Sequence, residues 1–223
     1  MNLFVCDTET NGLEQPIQVV EVAWKLLREV GYNEFVVDQE FDSLIDIGDY
    51  EMDPKASAKN GIRKEQLIGC PKLAELPWPT EEVVFVSHNT PFDRPLLAPY
   101  INVTDELCTL LVARRLLPSA PNHQLAVLRE WLGLSPGLAH RAPSDTETLI
   151  ELLFYLEEGY GEGMKGLLAF SKRPFVHKVM PWGKHAGKKF SDIPLGYMGW
   201  LNDLEDLDRD MRFTVDKYFR SLR

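Results

Sequence analysis

The early part of the chain carries the spacing of β-strands. "NLFVCDTET" (2–10) is an apolar run that gives way to acidic and hydroxyl side chains, as in a strand buried along most of its length and open at its end. "IQVVEVAWKLL" (17–27) and "NEFVVDQEFDSLI" (33–45) are rich in Val, Ile and aromatics and partly alternating, which predicts two further strands, and "VVFVSHN" (83–89) predicts another. Beyond it the apolar spacing lengthens toward the helical period. Pro91 opens a helical stretch through "FDRPLLAPY". "TLLVARRLL" (109–117), "HQLAVLREWLGL" (123–134) and "TETLIELLFYLEEG" (146–159) each gather apolar residues on one helical face. Strands first, then helices alternating with strand, predict an α/β fold: a mixed β-sheet flanked by helices. The Gly-rich break "EGYGEGMKG" (158–166) divides the chain into a first domain over 1–160 and a small C-terminal module over 161–223.

Composition changes this picture in one respect. With 223 residues, 44% hydrophobic and 26% charged, the chain is expected to be an ordinary soluble globular protein. It contains no apolar run of the ~18–20 residues needed to span a bilayer, and its N-terminus shows no basic segment or cleavage site, so a cytoplasmic protein without membrane partners is expected. Cys6, Cys70 and Cys108 are odd in number and widely spaced, which favours free thiols over a disulfide or zinc site. The formal net charge of −10 argues against a polyanionic partner, but it is unevenly spread. Residues 171–223 carry 11 Lys+Arg against 7 Asp+Glu, and 171–189 hold six basic residues and no acid. That asymmetry predicts a different task for the C-terminal module.

The tetrapeptide Asp-Thr-Glu-Thr occurs at 7–10 and again at 145–148. On a strand, residues two apart share a face, so Asp7 and Glu9 project together and Thr8 points away. Two adjacent carboxylates repel, and a divalent cation is the usual remedy. The second copy precedes an apolar helical run. There Ser144 is expected as N-cap with Glu147 reaching back to it, or the helix starts at Pro143; either way Asp145 and Glu147 diverge. A calcium-loop reading of "DTETNG" fails because Glu9 and Gln18 occupy positions where Asp or Asn, and a bidentate Glu, are needed.

Between the copies, "SHNTPFD" places Asp93 in the first turns of a helix after a buried strand, and His140 stands five residues ahead of Asp145. Asp7, Glu9, Asp93, His140 and Asp145, in this order and these contexts, resemble the DEDDh branch of the DnaQ-like 3′→5′ exonucleases. "DTETNGL", "SHNTPFD" and "HRAPSD" match that family's three motifs. "LCTLLVARRLLP", "QLAVLREWLGLSPGLAHRAPSD" and "MPWGKHAGKKFSDIPLGYMGWL" extend the likeness over nearly the whole chain, C-terminal extension included. The resemblance implies an RNase H-like fold and hydrolysis of phosphodiester bonds from a 3′ end, releasing nucleoside 5′-monophosphates. DNA is the expected substrate, in repair or recombination. RNA trimming by the same catalytic set, and a catalytically silent DNA-end-binding module, are the alternatives. It also implies two divalent ions, Mg²⁺ or Mn²⁺, ~4 Å apart, held by Asp7, Glu9, Asp93 and Asp145. All the proposed ligands are oxygen donors, which suits these ions. Glu9 and His140 are the expected catalytic groups, with neutral His140 taking a proton from the attacking water. Some members of the family dimerise, so a homodimer is compatible with the sequence.

Thr8, Thr10, Leu13, Asn89 and Phe92 are candidate substrate contacts. Leu13 could wedge against a terminal base or be a buried turn leucine. For Asn89 a loop cap, and for Phe92 a core position, are the simpler readings. His88 and His123 lack motif partners and are expected to be structural. Arg114 and Arg115 are expected on a solvated helix face, with phosphate contact as the alternative. "WGKHAGKK" is not a phosphate-binding loop, since its spacing is one short and Lys189 replaces Ser or Thr. Lys172, Arg173, Lys184, Lys188 and Lys189, interleaved with Phe175, Trp182 and Phe190, suit contacts to a DNA backbone; a solvated basic surface is the alternative.

Overall fold

The computed structural model describes every residue except Gln15, Pro136, Leu138 and Arg223. Strands β1 (Asn2–Thr10), β2 (Val19–Gly31), β3 (Glu34–Leu44), β4 (Glu82–Ser87) and β5 (Asn102–Cys108) form one mixed sheet in the order β3-β2-β1-β4-β5. β1 pairs antiparallel with β2 and parallel with β4. β2–β3 is antiparallel and β4–β5 parallel. The helices are α1 (Pro54–Asn60), α2 (Lys64–Leu67), α3 (Thr90–Leu97), α4 (Thr109–Leu116), α5 (Leu125–Leu132), α6 (Ala142–Tyr160), α7 (Gly163–Lys172), α8 (Leu195–Asp203) and α9 (Arg209–Ser221). The α/β class, with a mixed sheet flanked by helices, is as the sequence predicts.

The sheet is covered on both faces because β1 is apolar on both. Leu3 and Val5 pack against Leu149, Leu152 and Leu153 of α6 and Leu167 of α7. Phe4 and Cys6 face the opposite way, toward Leu97 of α3 and Trp24. β4 pairs with β1 only over Leu3–Val5, so the stretch Asp7–Thr10 runs past the parallel ladder. There the carboxyl ends of β1 and β4 open together, the position where α/β sheets hold their ligands.

β5 and the short α1 and α2 escape the sequence reading. β5 is a sheet edge buried only at Leu107 and Cys108, so its pattern is too polar to signal a strand. α1 ("PKASAKN") has no apolar face at all. α6 begins at Ala142 rather than at a Ser144 cap, and Glu147 pairs with Lys25 Nζ at 2.5 Å instead of closing a capping box. Past the glycine break, α7 still supplies Met164 and Leu167 to the main core, so residues near 160 make a turn between two packed helices. A separate apolar cluster forms later, from Met180, Phe190, Ile193, Met198, Leu201, Met211 and Val215.

Arg115 corrects the expectation of a solvated helix face. It is 6% exposed, and its guanidinium donates from Nε and Nη2 to Asp210 of α9 at 2.6 and 2.8 Å, and from Nη1 to the Phe170 carbonyl at 2.7 Å. The rings of Phe170 and Phe175 lie 5.1 and 5.5 Å from it. Arg114 pairs with Asp208 at 2.8 Å. Both arginines therefore fasten the last helix to α4. All three cysteines are free, as expected. Among the described residues no helix is long and apolar enough to cross a membrane.

Candidate active site

A cleft of about 740 Å³ opens at the end of β1 and β4. Its walls include Asp7, Thr8, Glu9, Thr10, Leu13, Asn89, Phe92, Asp93, His140 and Asp145. Strand alternation puts Asp7 and Glu9 on the face that carries α6, where Asp145 sits in the first turn. Glu9, His140 and Asp145 each offer a ligand atom, all within 4.8 Å of one another.

The neighbouring groups are held by specific bonds. Thr8, on the opposite face from Asp7, donates its hydroxyl to Asp93 Oδ1 at 2.6 Å, and so orients that carboxylate. Thr10 donates to the Gly12 carbonyl at 3.0 Å, within the turn that follows. Both hydroxyls line the cleft but are committed to these bonds. Leu13 is 77% exposed, which excludes the buried-turn reading. Asn89 stands at the N-cap of α3 in the left-handed region (φ 94°) and makes no side-chain capping bond. Phe92 is half-buried and lies outside the two sheet cores. His88 bridges Thr109 Oγ1 and the His123 carbonyl at 2.9 and 2.7 Å, so it is structural, and burial pushes it down to about 4.

His140 also has a positive φ (63°), and its amide donates to Asp145 Oδ2 at 2.8 Å. Glu21 fixes this corner. Only 2% exposed, it lies opposite Glu9 in the β1–β2 ladder and accepts from Arg141 Nη2 at 2.6 Å and from the Ala142 amide at 2.8 Å. Thus β2 anchors the start of α6 beside Glu9. This long-range pair left no sequence signal. The other unforeseen wall is α1. Asp53 caps it by accepting from the Lys55 amide at 2.7 Å, and Gly12 makes room for that cap, since a Cβ there would lie 3.0 Å from Asp53 Cβ. Lys55 and Lys59 of α1 also line the cleft, and Lys59 acts on both Glu9 and His140. The α1 sequence of polar and small residues gave no reason to expect a helix there.

The carboxylates strain one another. Burial, then Asp93, Asp145 and Glu9, pushes Asp7 well above the usual carboxylate range. Burial raises Glu9 to about 7 and Asp93 to about 6, the first opposed by Lys59 and the second by the Thr8 bond. Asp145 is also raised by burial, against the His140 amide. A cation among these oxygens would relieve both penalties, so the donor set fits a divalent metal.

Carboxyl groups raised in this way hold protons in the folded state that the unfolded chain releases near pH ~4. Metal-free protein is therefore expected to lose stability as pH rises from about 4 to about 7. Mg²⁺ or Mn²⁺ at ~100-fold excess over its Kd should restore on the order of 5–10 °C of melting temperature near neutral pH and much less near pH 5. Thermal melts with and without chelator test this. An equal metal shift in an Asp7→Asn/Asp145→Asn variant would exclude a shared site.

The basic residues of the tail are placed differently from one another. Lys172 is ion-paired with Asp105 of β5, whereas Arg173, Lys184, Lys188 and Lys189 are exposed. Phe190 is core, Trp182 packs against that core, and Phe175 covers Arg115, so none of the three is an open stacking platform.

No protein-family model matches the chain. It is 28% identical to exodeoxyribonuclease 10 of Escherichia coli strain K12, over 98% of this chain and 99% of that protein. Among solved structures it resembles exonuclease X in complex with 5′-overhanging duplex DNA, with TM-score 0.60 and 25% identity, over 76% of this chain and 99% of that one. E. coli exonuclease I with a dA16 oligonucleotide shares the fold at TM-score 0.58 and 15% identity, over 76% of this chain and 42% of that one. Sequence and fold together bear out the resemblance read from the motifs: the chain is similar to exodeoxyribonuclease 10 over nearly its whole length and to exonuclease X over 76% of it.

Proposed function

We propose that the protein is a metal-dependent 3′→5′ exonuclease that removes nucleotides from the 3′ ends of DNA and releases nucleoside 5′-monophosphates. The observation that carries this reading is the meeting of Glu9, His140 and Asp145 within 4.8 Å at the mouth of a cleft that also holds Asp7 and Asp93. Asp7, Glu9, Asp93 and Asp145 would hold divalent cations, Mg²⁺ or Mn²⁺, which when bound supply Lewis-acid stabilisation of the attacking and leaving oxygens. The chain's own residues do the rest. His140, kept below its ordinary pKa by burial and then by Lys59, is neutral near pH 7 and accepts the proton of the attacking water. Thr8 and Glu21 keep Asp93 and the start of α6 in place. Leu13, exposed beside the cleft, wedges against the terminal base, and Lys55 and Lys59 face the incoming phosphates. The similarity to exodeoxyribonuclease 10 supports DNA over RNA.

Matched DNA and RNA oligonucleotides labelled at the 5′ end test the reading. With Mn²⁺ the DNA should shorten stepwise from its 3′ end, and chelator should stop it. Faster loss of RNA would reverse the substrate assignment. Intact oligonucleotides with every metal would leave a catalytically silent binding module.

A further inference from the structure

The C-terminal module presents a surface that the active site does not use. His185, Tyr197 and Trp200 form a continuous ladder of rings, with centroids 4.5 Å apart for His185–Tyr197 and 5.1 Å for Tyr197–Trp200. The ladder begins buried at His185 and ends at Trp200, which is 50% exposed although its neighbours Met198 and Leu201 on α8 supply the local core. The contacts are edge-to-face (79°) and tilted (45°), and the large indole at their end is left half in water, with aromatic surface free to meet a ligand.

Cations stand at the other end of the series, beside His185. Lys184 and Lys188 flank His185, and both add to the effect of burial in holding its imidazole below the ordinary range. They project from a turn closed on itself, where the Met180 amide donates to the Lys188 carbonyl and the Gly187 amide to the Met180 carbonyl, each at 2.8 Å. Over 181–200 the chain carries Lys184, Lys188 and Lys189 against the single acid Asp192. Positive charge on a fixed turn, linked to an exposed indole through the rings of His185 and Tyr197, is the chemistry that binds single-stranded nucleic acid: phosphates meet lysines and a base stacks on the ring.

We propose that this face of the module is a second DNA site, which binds a single strand by stacking a base on Trp200 while Lys184 and Lys188 hold the flanking phosphates. The choice of DNA rests on the exonuclease reading; the stacking surface does not. Such a site holds the strand away from the repulsive carboxylate cluster, so it retains DNA when no metal is present.

The test is fluorescence anisotropy with a labelled oligothymidylate of roughly 20 nucleotides, longer than the ~4–16 nucleotides that one small domain covers, in chelator, with the full chain. Trp200→Ala is expected to weaken binding about 5- to 150-fold, the range for loss of one base–aromatic stack. Trp200→Phe should recover most of it, and Lys184→Gln/Lys188→Gln should lower the slope of log K against log[salt] by about 1.4. Mn²⁺-dependent hydrolysis of a dinucleotide, too short to span both sites, should be unchanged in all these variants. Wild-type affinity in Trp200→Ala overturns the proposal while leaving the exonuclease reading intact. Loss of affinity in the lysine variant alone overturns it too, in favour of backbone contact without stacking. Failure of the wild type to degrade the oligothymidylate or any longer oligonucleotide with every metal, with Trp200-dependent binding preserved, refutes the nuclease assignment and supports this site.

Discussion

Replacing His140 is expected to lower kcat by about 10²–10⁴-fold, the usual contribution of a positioned general base, while the metal-induced rise in melting temperature survives. The choice of substitute matters. His140 occupies the left-handed region (φ 63°), where Asn is tolerated far better than other side chains, and its amide must keep donating to Asp145. His140→Asn thus removes the base with little backbone strain, and His140→Ala adds that strain as a control. Only the neutral imidazole accepts a proton, so the wild-type rate should rise with pH as His140 deprotonates. Burial and then Lys59 lower its pKa, which puts that acidic limb below pH ~6.5. With metal kept saturating across the pH range, so that protonation of the Glu9 and Asp93 carboxyls does not itself limit the rate, the limb should vanish in His140→Asn. Unchanged turnover would remove His140 from the mechanism. Loss of the metal-induced stabilisation would instead make it a ligand, which its position beside Glu9 and Asp145 also permits.

What could be read from the chain without coordinates follows a physical rule. Asp7 and Glu9 were legible as a pair because a strand has period two and the run before them is fully apolar, so the side on which they emerge is fixed by Leu3 and Val5. α4, α5 and α6 were legible from their apolar spacing. The partners that position the site were not. Glu21 and Arg141 are 120 residues apart in sequence, and nothing local says that a strand carboxylate will seize the start of a distant helix. That same pair displaces the expected Ser144 cap, since the chain already enters α6 at Ala142, held by Glu21. α1 consists of polar and small residues. It holds its place through the Asn11 side chain, whose amide donates to the Glu51 carbonyl at 3.0 Å, and through the Asp53 amide, which donates to the Asn11 carbonyl at 2.8 Å. Lys59, the cation that most opposes the rise of Glu9, was invisible for that reason.

The same limit explains Arg115, and it leads to the second large effect. On an amphipathic helix an arginine is read as solvent-facing, because a charged side chain without a local partner is costly to bury. Its partner Asp210 lies 95 residues later, itself fully buried. Each charge satisfies the other, and the Phe170 and Ser171 carbonyls take remaining guanidinium protons at 2.7 and 3.3 Å. Removing Asp210 strands the buried guanidinium, and removing Arg115 leaves the fully buried Asp210 with the longer contact to Arg209 Nε at 3.3 Å as its remaining ion pair. Asp210→Asn or Arg115→Gln is therefore expected to destabilise the fold by about 3–5 kcal/mol, or on the order of 6–20 °C in melting temperature. Thermal melts give the size of the loss. Limited proteolysis should show new cuts at 173–179, the segment between α7 and the C-terminal core, because α9 keeps only the Arg114–Asp208 tie to α4. The joint variant Arg115→Met/Asp210→Leu should regain much of the loss, since apolar residues of similar volume leave no buried charge unpaired. If the single variants melt like the wild type, the pair is not what holds α9 in place. If the joint variant is as unstable as either single one, the packing of the guanidinium between Phe170 and Phe175, rather than its charge, is the source of the stability.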